Sequence, residues 1–272
     1  MVVQHNLTAM NSNRMLGITT NSQAKSTEKL SSGYRINRAA DDAAGLAISE
    51  KMRRQIRGLT QASTNAQDGI SCVQTAEGAL AEVHDMLQRM NELAVQAANG
   101  TQTSADRSYI DSEIQALKSE INRVASTTTF NEQKLLDGTF TDKGLQVGAE
   151  AEQIISFSIG GMDTTELDIV DVSVDGDDDD NAQSAITSIK GALKIVSQQR
   201  SDLGAIQNRL EHTIKNLDNV VENTTAAESQ IRDTDMASEM VKFSNNNILA
   251  QAGQAMLAQA NQTNQGVLSI LG

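Results

Sequence analysis

The sequence contains no proline and no tryptophan, and only 2% of its 272 residues are aromatic. Large aromatic side chains normally supply much of the apolar area that a compact globular core buries. Their scarcity argues against an ordinary globule, whereas the abundant alanine and aliphatic residues suit helices packed side by side. Because proline is absent, no helix has to be kinked or ended by a missing backbone N–H group.

The chain also has an excess of negative charge and almost no cysteine. Its net charge of −13 disfavours binding to nucleic acid, which requires a basic surface, and binding to an anionic membrane. The single cysteine, Cys72, excludes an internal disulfide framework. No apolar run of about 18 residues is present, so no membrane span is predicted. Residues 1–17 lack the apolar core of a cleavable signal peptide.

No arrangement of residues in the sequence predicts catalysis, a metal centre or a cofactor site. The three histidines, His5, His84 and His212, are far apart and none belongs to a zinc-protease pattern. Phosphate-binding glycine loops are also missing. Residues 99–101, Asn-Gly-Thr, match a glycosylation acceptor, but a turn at the end of a helix is the favoured interpretation.

The acidic stretch at residues 171–180 resembles part of a calcium loop. Asp171, Ser173, Asp175 and Gly176 occupy positions 1, 3, 5 and 6 of such a loop. The twelfth position, which should supply a bidentate glutamate, is Ala182. An exposed acidic turn is therefore favoured over a calcium site, and ion binding by this stretch is left open.

Apolar residues recur at alternating steps of four and three over three long stretches, the spacing of helices that pack along a seam. The first stretch predicts one helix over residues 44–98, roughly 80 Å long at 1.5 Å per residue. The second stretch covers residues 110–124, with Ser104 or Asp106 as the expected N-cap. The third covers residues 186–221. Three such seams predict a mainly α fold, a long antiparallel helical bundle with coiled-coil packing.

A different pattern separates the second and third helical stretches. Residues 153–159 and residues 167–174 both alternate apolar and polar side chains, and Gly160-Gly161 lies between them. This predicts a small β-hairpin in which the two segments pair. Residues 134–147 are expected to add irregular structure or short strands.

The two ends of the chain carry thin apolar stripes among many asparagine and glutamine residues. Neither end has enough apolar surface to stay folded alone. We therefore expect both ends to be disordered in a free monomer and helical once they pack on neighbouring copies. The residues predicted to mediate this self-assembly are Leu7, Met10, Ile18, Met236, Met240, Phe243, Leu249, Met256, Leu257, Leu268 and Leu271.

Three long segments resemble those of bacterial flagellins. Residues 30–59 read LSSGYRINRAADDAAGLAISEKMRRQIRGL, and residues 87–100 read LQRMNELAVQAANG. Residues 227–271 read AESQIRDTDMASEMVKFSNNNILAQAGQAMLAQANQTNQGVLSIL. The resemblance covers nearly the whole chain outside residues 137–180, so the chain is similar to a minimal flagellin.

The resemblance implies an architecture of two domains. Residues 1–40 and 226–272 would form the inner domain, D0, with the start of the spoke that leads out of it. Residues 41–225 would form the outer domain, D1, with a β-hairpin region at about 134–177. The implied function is that of a structural, non-enzymatic subunit of the extracellular flagellar filament, which self-assembles into a helical tube for motility and needs no cofactor.

The resemblance also implies partners other than copies of the chain itself. Flagellins pass through the flagellar type III export apparatus without a cleavable signal peptide, helped by an export chaperone. They then contact the filament cap and the hook junction proteins. Host Toll-like receptor 5 recognises many flagellins. The matching receptor-binding positions in this sequence are Gln88, Arg89, Leu93, Gln96 and Glu113.

Two positions depart from the flagellin pattern, and three other protein classes compete with it. Tyr34 stands where leucine is frequent, and Asn264 stands where many flagellins have proline, which would let the last helix run further. A hook–filament junction protein would share the terminal helices but would not form long polymers. A flagellin with a peptidase insert would need a metal motif, and a trimeric coiled-coil adhesin would not explain the matched termini.

The expected disorder of the ends is testable by amide hydrogen exchange. Residues 1–30 of a dilute monomer should exchange at the rate of an unstructured chain, because an unpartnered helix with so little apolar surface is marginal in water. Strong amide protection of this segment in the monomer would contradict the prediction.

Overall fold

The computed structural model describes residues 6–176 and 179–271, apart from the side chains of residues 264–271. Within these residues the fold is mainly α, with two short antiparallel strand pairs, as predicted. The helices are α1 Leu7–Ser32, α2 Ala43–Ala97, α3 Ser104–Thr127, α4 Asp180–Arg232 and α5 Met236–Leu271. The strands are β1 Thr129–Phe130, β2 Gln133–Lys134, β3 Lys143–Gln146 and β4 Ile154–Phe157.

The chain divides into two compact units. The terminal unit comprises residues 1–55 and 222–272, and the central unit comprises residues 56–221. None of the helices in the described residues combines the length and the apolar content that a membrane crossing requires.

The core of the central unit confirms the predicted seam. From Leu59 onward, the apolar residues of α2 that recur at steps of three and four are almost fully buried. On α3 and α4 some of their counterparts are fully buried, and others, such as Leu117 and Leu193, are partly buried and pack against the same core. The largest of these buried side chains are Leu80, Leu87, Met90, Ile114 and Ile121. Burial of each such side chain stabilises the fold by roughly 1.5–3 kcal/mol, so this seam dominates the stability of the unit.

Polar contacts show that the helices of the central unit are antiparallel to α2. Arg89 near the end of α2 pairs with Glu113 near the start of α3, with 2.9 Å between Nη2 and Oε1. Ser63 donates to Asp218 of α4 over 3.3 Å. Glu77 lies 3.8 Å from Arg200 further back along α4. The predicted antiparallel arrangement is confirmed for these three helices.

The start of α3 corrects the predicted cap. Thr103, rather than Ser104 or Asp106, is the N-cap residue, because its hydroxyl accepts the N–H of Asp106 over 3.3 Å. The Asp106 carboxylate accepts the Thr103 N–H in return over 3.1 Å, which completes a capping box. Hydrogen bonds from the Thr103 hydroxyl and N–H hold the pKa of Asp106 below its usual range. Asp106 is thus the third residue of the first turn.

The two strand pairs are β-hairpins that pack on the helical seam. Asn131 and Glu132 connect β1 to β2 with φ angles of 49° and 64°, as a two-residue type I′ turn requires. β3 pairs with β4 in the register Leu145↔Ile155. Leu145 packs closely on α2, where a Cβ added to Gly69 would lie 2.3 Å from its Cδ1 atom. Glycine at this point therefore lets the hairpin approach the helix.

The predicted pairing of residues 153–159 with residues 167–174 is wrong. Residues 154–157 do form a strand, but that strand pairs with β3 and not with residues 167–174, which are turn and irregular structure. The apolar side chains Leu167, Ile169, Val172 and Val174 are nevertheless buried in the main core. The alternating pattern of this segment thus reflects one-sided burial without strand pairing.

Side chains of α3 satisfy the backbone of this irregular segment. Asp111, Gln115, Lys118 and Asn122 follow one another at steps of four, three and four, so they share one face of the helix. Asp111 accepts the N–H of Val174 over 2.9 Å, and Asn122 accepts the N–H of Thr164 over 2.9 Å. Gln115 donates to the carbonyl oxygen of Val172 over 3.2 Å. Lys118 donates to the same oxygen over 3.1 Å and also to the carbonyl oxygen of Val170. Burial lowers the pKa of the Lys118 ammonium. This polar row takes the place of a partner strand.

The terminal unit consists largely of α1 packed antiparallel on α5. Asn6 donates to the carbonyl oxygen of Ala260 over 3.1 Å, and Asn246 donates to the Ser22 hydroxyl over 3.2 Å. α1 ends at Gly33, whose φ of 76° is the left-handed conformation that glycine adopts most easily. α5 continues through Asn264, as the missing proline predicts.

The connections at the ends of these helices are tied together around Arg232. The Arg35 N–H donates to the Arg232 carbonyl oxygen over 2.7 Å, and the Thr234 N–H donates to the Gly33 carbonyl oxygen over 2.9 Å. The Arg232 guanidinium lies 4.6 Å from the centre of the Tyr34 ring and donates to Glu50 over 3.0 Å. Tyr34, the residue that departs from the flagellin pattern, therefore supplies a cation–π contact that leucine cannot make.

Replacing Lys118 by methionine tests the row on α3. The change keeps the length of the side chain but removes the donor of the Val170 carbonyl oxygen and leaves the Val172 carbonyl oxygen with Gln115 alone, so the free energy of unfolding should fall by about 1–3 kcal/mol. Lys190→Met, at an exposed position of α4, is the matched control and should change it by less than about 0.5 kcal/mol. Urea unfolding followed by circular dichroism measures both, and equal effects would contradict this account.

Candidate self-assembly surface

The predicted assembly residues of α1 form an exposed apolar stripe. Leu7, Met10 and Ile18 are 58–68% exposed. At 100° per residue they lie within about 80° of one another around the helix axis. Leu16, on the opposite side of α1, contacts α5, where its Cδ1 atom would lie 3.3 Å from a Cβ added to Gly253. The stripe therefore faces away from α5.

The predicted assembly residues of α5 divide into two sets. Met236, Met240, Leu249 and Met256 are exposed. Phe243 and Leu257 are half-buried, and both lie seven residues from the buried Ala250, so they share the side of α5 that faces α1. These two residues are thus used within the chain, while the exposed set is free to contact another molecule. Leu268 and Leu271 lie among the side chains that the structure does not describe.

Sequence reasoning missed three further members of this surface. Met15, Val241 and Ile248 are more than half exposed. In the sequence, the only indication that they belong to this surface is that they are large apolar residues on the terminal helices. Met15 also belongs to a groove of about 410 Å³ between α1 and α5. Its apolar walls are Met15, Leu16, Leu249 and Met256. The groove adds a concave element to an otherwise convex apolar surface.

A buried carboxylate lies inside the α1–α5 contact. Glu239 is 6% exposed and accepts from Lys242 over 3.3 Å. Burial acts to raise the pKa of Glu239. The hydrogen bond from Ser26 and the positive charges of Lys242 and Lys29 outweigh burial and hold that pKa below its usual range. An ionised buried group with fixed partners favours one alignment of the two helices over shifted ones.

Charge is distributed very unevenly between the two units. The central unit contains 12 basic and 26 acidic residues, a net charge of −14. The terminal unit contains 10 basic and 9 acidic residues, a net charge of +1. The surface that carries the exposed apolar stripes is therefore close to neutral. Association through it meets little electrostatic repulsion from the same unit of another copy.

The predicted receptor-binding residues lie on α2 and α3 of the central unit. Gln88, Arg89, Gln96 and Glu113 are exposed. Leu93 is only 2% exposed and belongs to the main core. The structure joins Arg89 to Glu113, with 3.0 Å between Nε and Oε1, and also to Glu92 over 3.3 Å. Four of the five predicted residues therefore present polar groups to solvent, and Leu93 supports them from below.

The remaining candidates for chemistry are not brought together. Cys72 is buried, and burial raises the pKa of its thiol, which disfavours a reactive thiolate. In the described part of the chain, no group of three or more His, Cys, Asp or Glu side chains could hold a metal ion. Ala182, the residue at the twelfth position of the calcium-loop pattern, is buried in the core.

Comparison with known proteins gives this arrangement a family. Residues 3–141 match the bacterial flagellin N-terminal helical region, and residues 186–271 match the bacterial flagellin C-terminal helical region. The chain belongs to the bacterial flagellin family. The matches include all five helices except the first residues of α4. The flagellin regions thus cover both the exposed stripes and the predicted receptor-binding positions.

Curated flagellins match this chain along their whole length. A flagellin of Halalkalibacterium halodurans is 59% identical over 271 residues, with 100% of both chains covered. A flagellin of Bacillus subtilis is 51% identical and the flagellar filament 31.3 kDa core protein of Treponema maltophilum is 50% identical, again with full coverage of both. The family resemblance read from the sequence is therefore confirmed.

Solved structures agree with the fold. The crystal structure of Bacillus cereus flagellin is 31% identical, with a TM-score of 0.51 over 57% of this chain and 88% of that chain. The structure of a "putative flagellar hook-associated protein" from Vibrio parahaemolyticus has a TM-score of 0.60 and covers 71% of this chain and all of that chain. Its identity of 14% shows similarity of fold alone.

Proposed function

We propose that this flagellin is the structural subunit of a bacterial flagellar filament and polymerises through its terminal helix pair. The observation that carries the proposal is the set of large apolar side chains that α1 and α5 turn towards solvent. Exposed apolar surface of this kind marks a site of interaction with another molecule. The near-neutral charge of the same unit allows that other molecule to be a second copy.

An open polymer can form because the exposed apolar residues of α1 and those of α5 are different surfaces. A stripe on α1 of one copy that packs against α5 of the next is a contact between unlike surfaces. Contacts between unlike surfaces form a closed ring only if the rotation from copy to copy adds up to a full turn without a shift along the axis. Otherwise they give an open helical polymer. Burying each large apolar side chain contributes roughly 1.5–3 kcal/mol, which offsets the entropy lost when the ends become ordered.

The finer organisation is part of the same proposal. Residues 1–40 and 226–272 act as the inner domain of the filament and residues 41–225 as its outer domain. The subunit leaves the cell through the type III export apparatus without a cleavable signal peptide, and an export chaperone covers its C-terminal helices first. Filament cap and hook junction proteins contact it at the filament ends. A chain without proline or disulfides suits passage in an unfolded form.

The same features separate this proposal from its rivals. Identities of 50–59% over the full length are to flagellins and to a flagellar filament core protein, whereas the hook-associated protein shares only 14%. Flagellins are structural proteins, and full-length coverage of these relatives disfavours a peptidase insert as well as an unrelated adhesin.

Substituting Ile18 by aspartate tests the assembly surface. The charge lies on the α1 stripe and should slow filament growth at least roughly tenfold, since burying an unpaired charge is strongly unfavourable. Growth on filament seeds, counted by negative-stain electron microscopy, is the measurement. Deletion of residues 236–272 should abolish growth and leave a soluble monomer.

The control for this substitution is Asn13→Asp, which adds the same charge to an exposed position about 140° around α1 from Ile18. It should grow at close to the original rate. Equal growth of the Ile18 and Asn13 variants, or filaments formed by the deletion variant, would refute the proposed surface.

We further propose that the α2–α3 face is a ligand of host Toll-like receptor 5. The proposal is supported by the exposed Gln88, Arg89, Gln96 and Glu113 and by the ion pair that holds the Arg89 guanidinium in place. Arginine with aligned donors is well suited to a protein interface. Leu93 contributes by packing beneath this face.

Arg89→Ala should weaken receptor binding by about tenfold or more, because it removes the multi-donor group at the centre of the face. Arg123→Ala is the matched control, since Arg123 is an exposed arginine that pairs with Glu120 on α3. Surface plasmon resonance with the monomeric receptor ectodomain measures both. Unchanged binding by the Arg89 variant would count against the site.

A further inference from the structure

The methionines of this chain are divided sharply by exposure. Five of them are 48–63% exposed, and all five lie on α1 or α5: Met10, Met15, Met236, Met240 and Met256. In the central unit, by contrast, Met90 and Met162 are at most 1% exposed and Met86 is half-buried. Met52 is half-buried as well. Thioether groups within reach of a dissolved reagent are thus concentrated on the terminal helices.

These five residues make up half of the apolar surface described above. Among the described side chains of α1 and α5, the other large exposed apolar residues are Leu7, Ile18, Val241, Ile248 and Leu249. Leucine, isoleucine and valine do not react with mild oxidants, whereas the methionine thioether does. The surface therefore combines an inert half and an oxidisable half.

We propose that the exposed methionines of α1 and α5 are a modification site at which a peroxide-class oxidant blocks assembly of the free subunit. This inference rests on the proposed function, because it assigns the methionine-bearing surface to contacts between copies. It adds a chemical sensitivity of that surface, which the assembly role alone does not require.

The reaction is an oxygen-atom transfer. The methionine sulfur attacks one oxygen of hydrogen peroxide, the O–O bond breaks, an S–O bond forms and water leaves. The sulfur loses two electrons and the peroxide gains them, so no other reactant is needed. The product, methionine sulfoxide, replaces a flexible apolar side chain by a polar one.

The effect on assembly follows from the burial that assembly requires. A sulfoxide oxygen accepts hydrogen bonds from water, and packing it against an apolar neighbour leaves it without a donor. One such group lowers an association constant by about tenfold, and two or more on one surface lower it further. Because the modified side chains are exposed, the sulfoxide removes little of the packing within the α1–α5 pair itself.

Cys72 does not offer a competing route. It is buried, and burial raises the pKa of its thiol, so little of the reactive thiolate is present at neutral pH. The core methionines Met90 and Met162 are closed to solvent in the same way. Among the described methionines, mild oxidation of the folded subunit therefore falls mainly on the terminal helices.

Treatment of the free subunit with hydrogen peroxide, followed by removal of the oxidant with catalase, provides the test. Peptide mass spectrometry should find sulfoxide at Met10, Met15 and Met256 but not at Met90 or Met162. Growth of the treated subunit on untreated seeds should be at least roughly tenfold slower than growth of the untreated subunit. The two methionine sulfoxide reductases together should restore growth, while dithiothreitol alone should not.

Two variants complete the design. Leucine at all five exposed positions keeps the apolar volume and should make growth insensitive to peroxide, whereas Met52→Leu with Met86→Leu should leave the sensitivity unchanged. If the fivefold leucine variant itself fails to grow, the test is whether the reductases restore growth of the peroxide-treated chain with its original methionines.

The possible failures are distinguishable. If untreated subunits do not grow, the proposed function is overturned. If untreated and fully oxidised subunits grow at the same rate, or if reductase fails to restore growth, only the oxidation proposal is overturned. Equal modification of core and terminal methionines also overturns it.

Discussion

The pairing of α1 with α5 buries little apolar surface, and the behaviour of the whole chain depends on that shortage. Among the described side chains, Ala250 is the buried apolar residue of α5, and Leu16, Phe243 and Leu257 are half-buried. The polar Ser26 and Glu239 are buried as well. Most of the large apolar side chains point outward instead. A helix pair with this distribution leaves apolar surface available for contact with other molecules, whereas the central unit has a closed core of its own.

Electrostatics and packing act over different distances in such a protein. The net charge of −14 on the central unit repels another copy over about 8–10 Å at moderate ionic strength. Apolar burial acts only at contact. Repulsion therefore opposes contact between the central units of two copies more than contact between their nearly neutral terminal units.

The helices were predictable because their signal is local and repeats many times. Steps of three and four along α2, α3 and α4 identified the buried residues and located the ends of α2 to within one residue. The cap at Thr103 was missed because three neighbouring residues are all good caps and only the hydrogen-bond geometry selects one. The partner of β4 was missed because residues 167–174 alternate as a strand does, while the polar row on α3 satisfies their backbone.

The assembly surface was only partly predictable for a similar reason. A stripe of apolar residues predicts that a helix face is buried, but it does not say which molecule buries it. Phe243 and Leu257 face α1 of the same chain, whereas Met15, Val241 and Ile248, which did not stand out in the sequence, are exposed. That division depends on how two helices more than 200 residues apart in sequence pack together.

The scarcity of aromatic residues has a consequence for spectroscopy. With no tryptophan, near-ultraviolet emission from this chain comes from two tyrosines, one in each unit. Tyr109 is 76% exposed on α3 and gives a solvent-like signal, whereas Tyr34 lies beneath the Arg232 guanidinium where the two chain connections meet. A Tyr109→Phe chain would therefore carry a single tyrosine, located between the end of α1 and the start of α5. Its emission would report the packing of these helices without any attached dye.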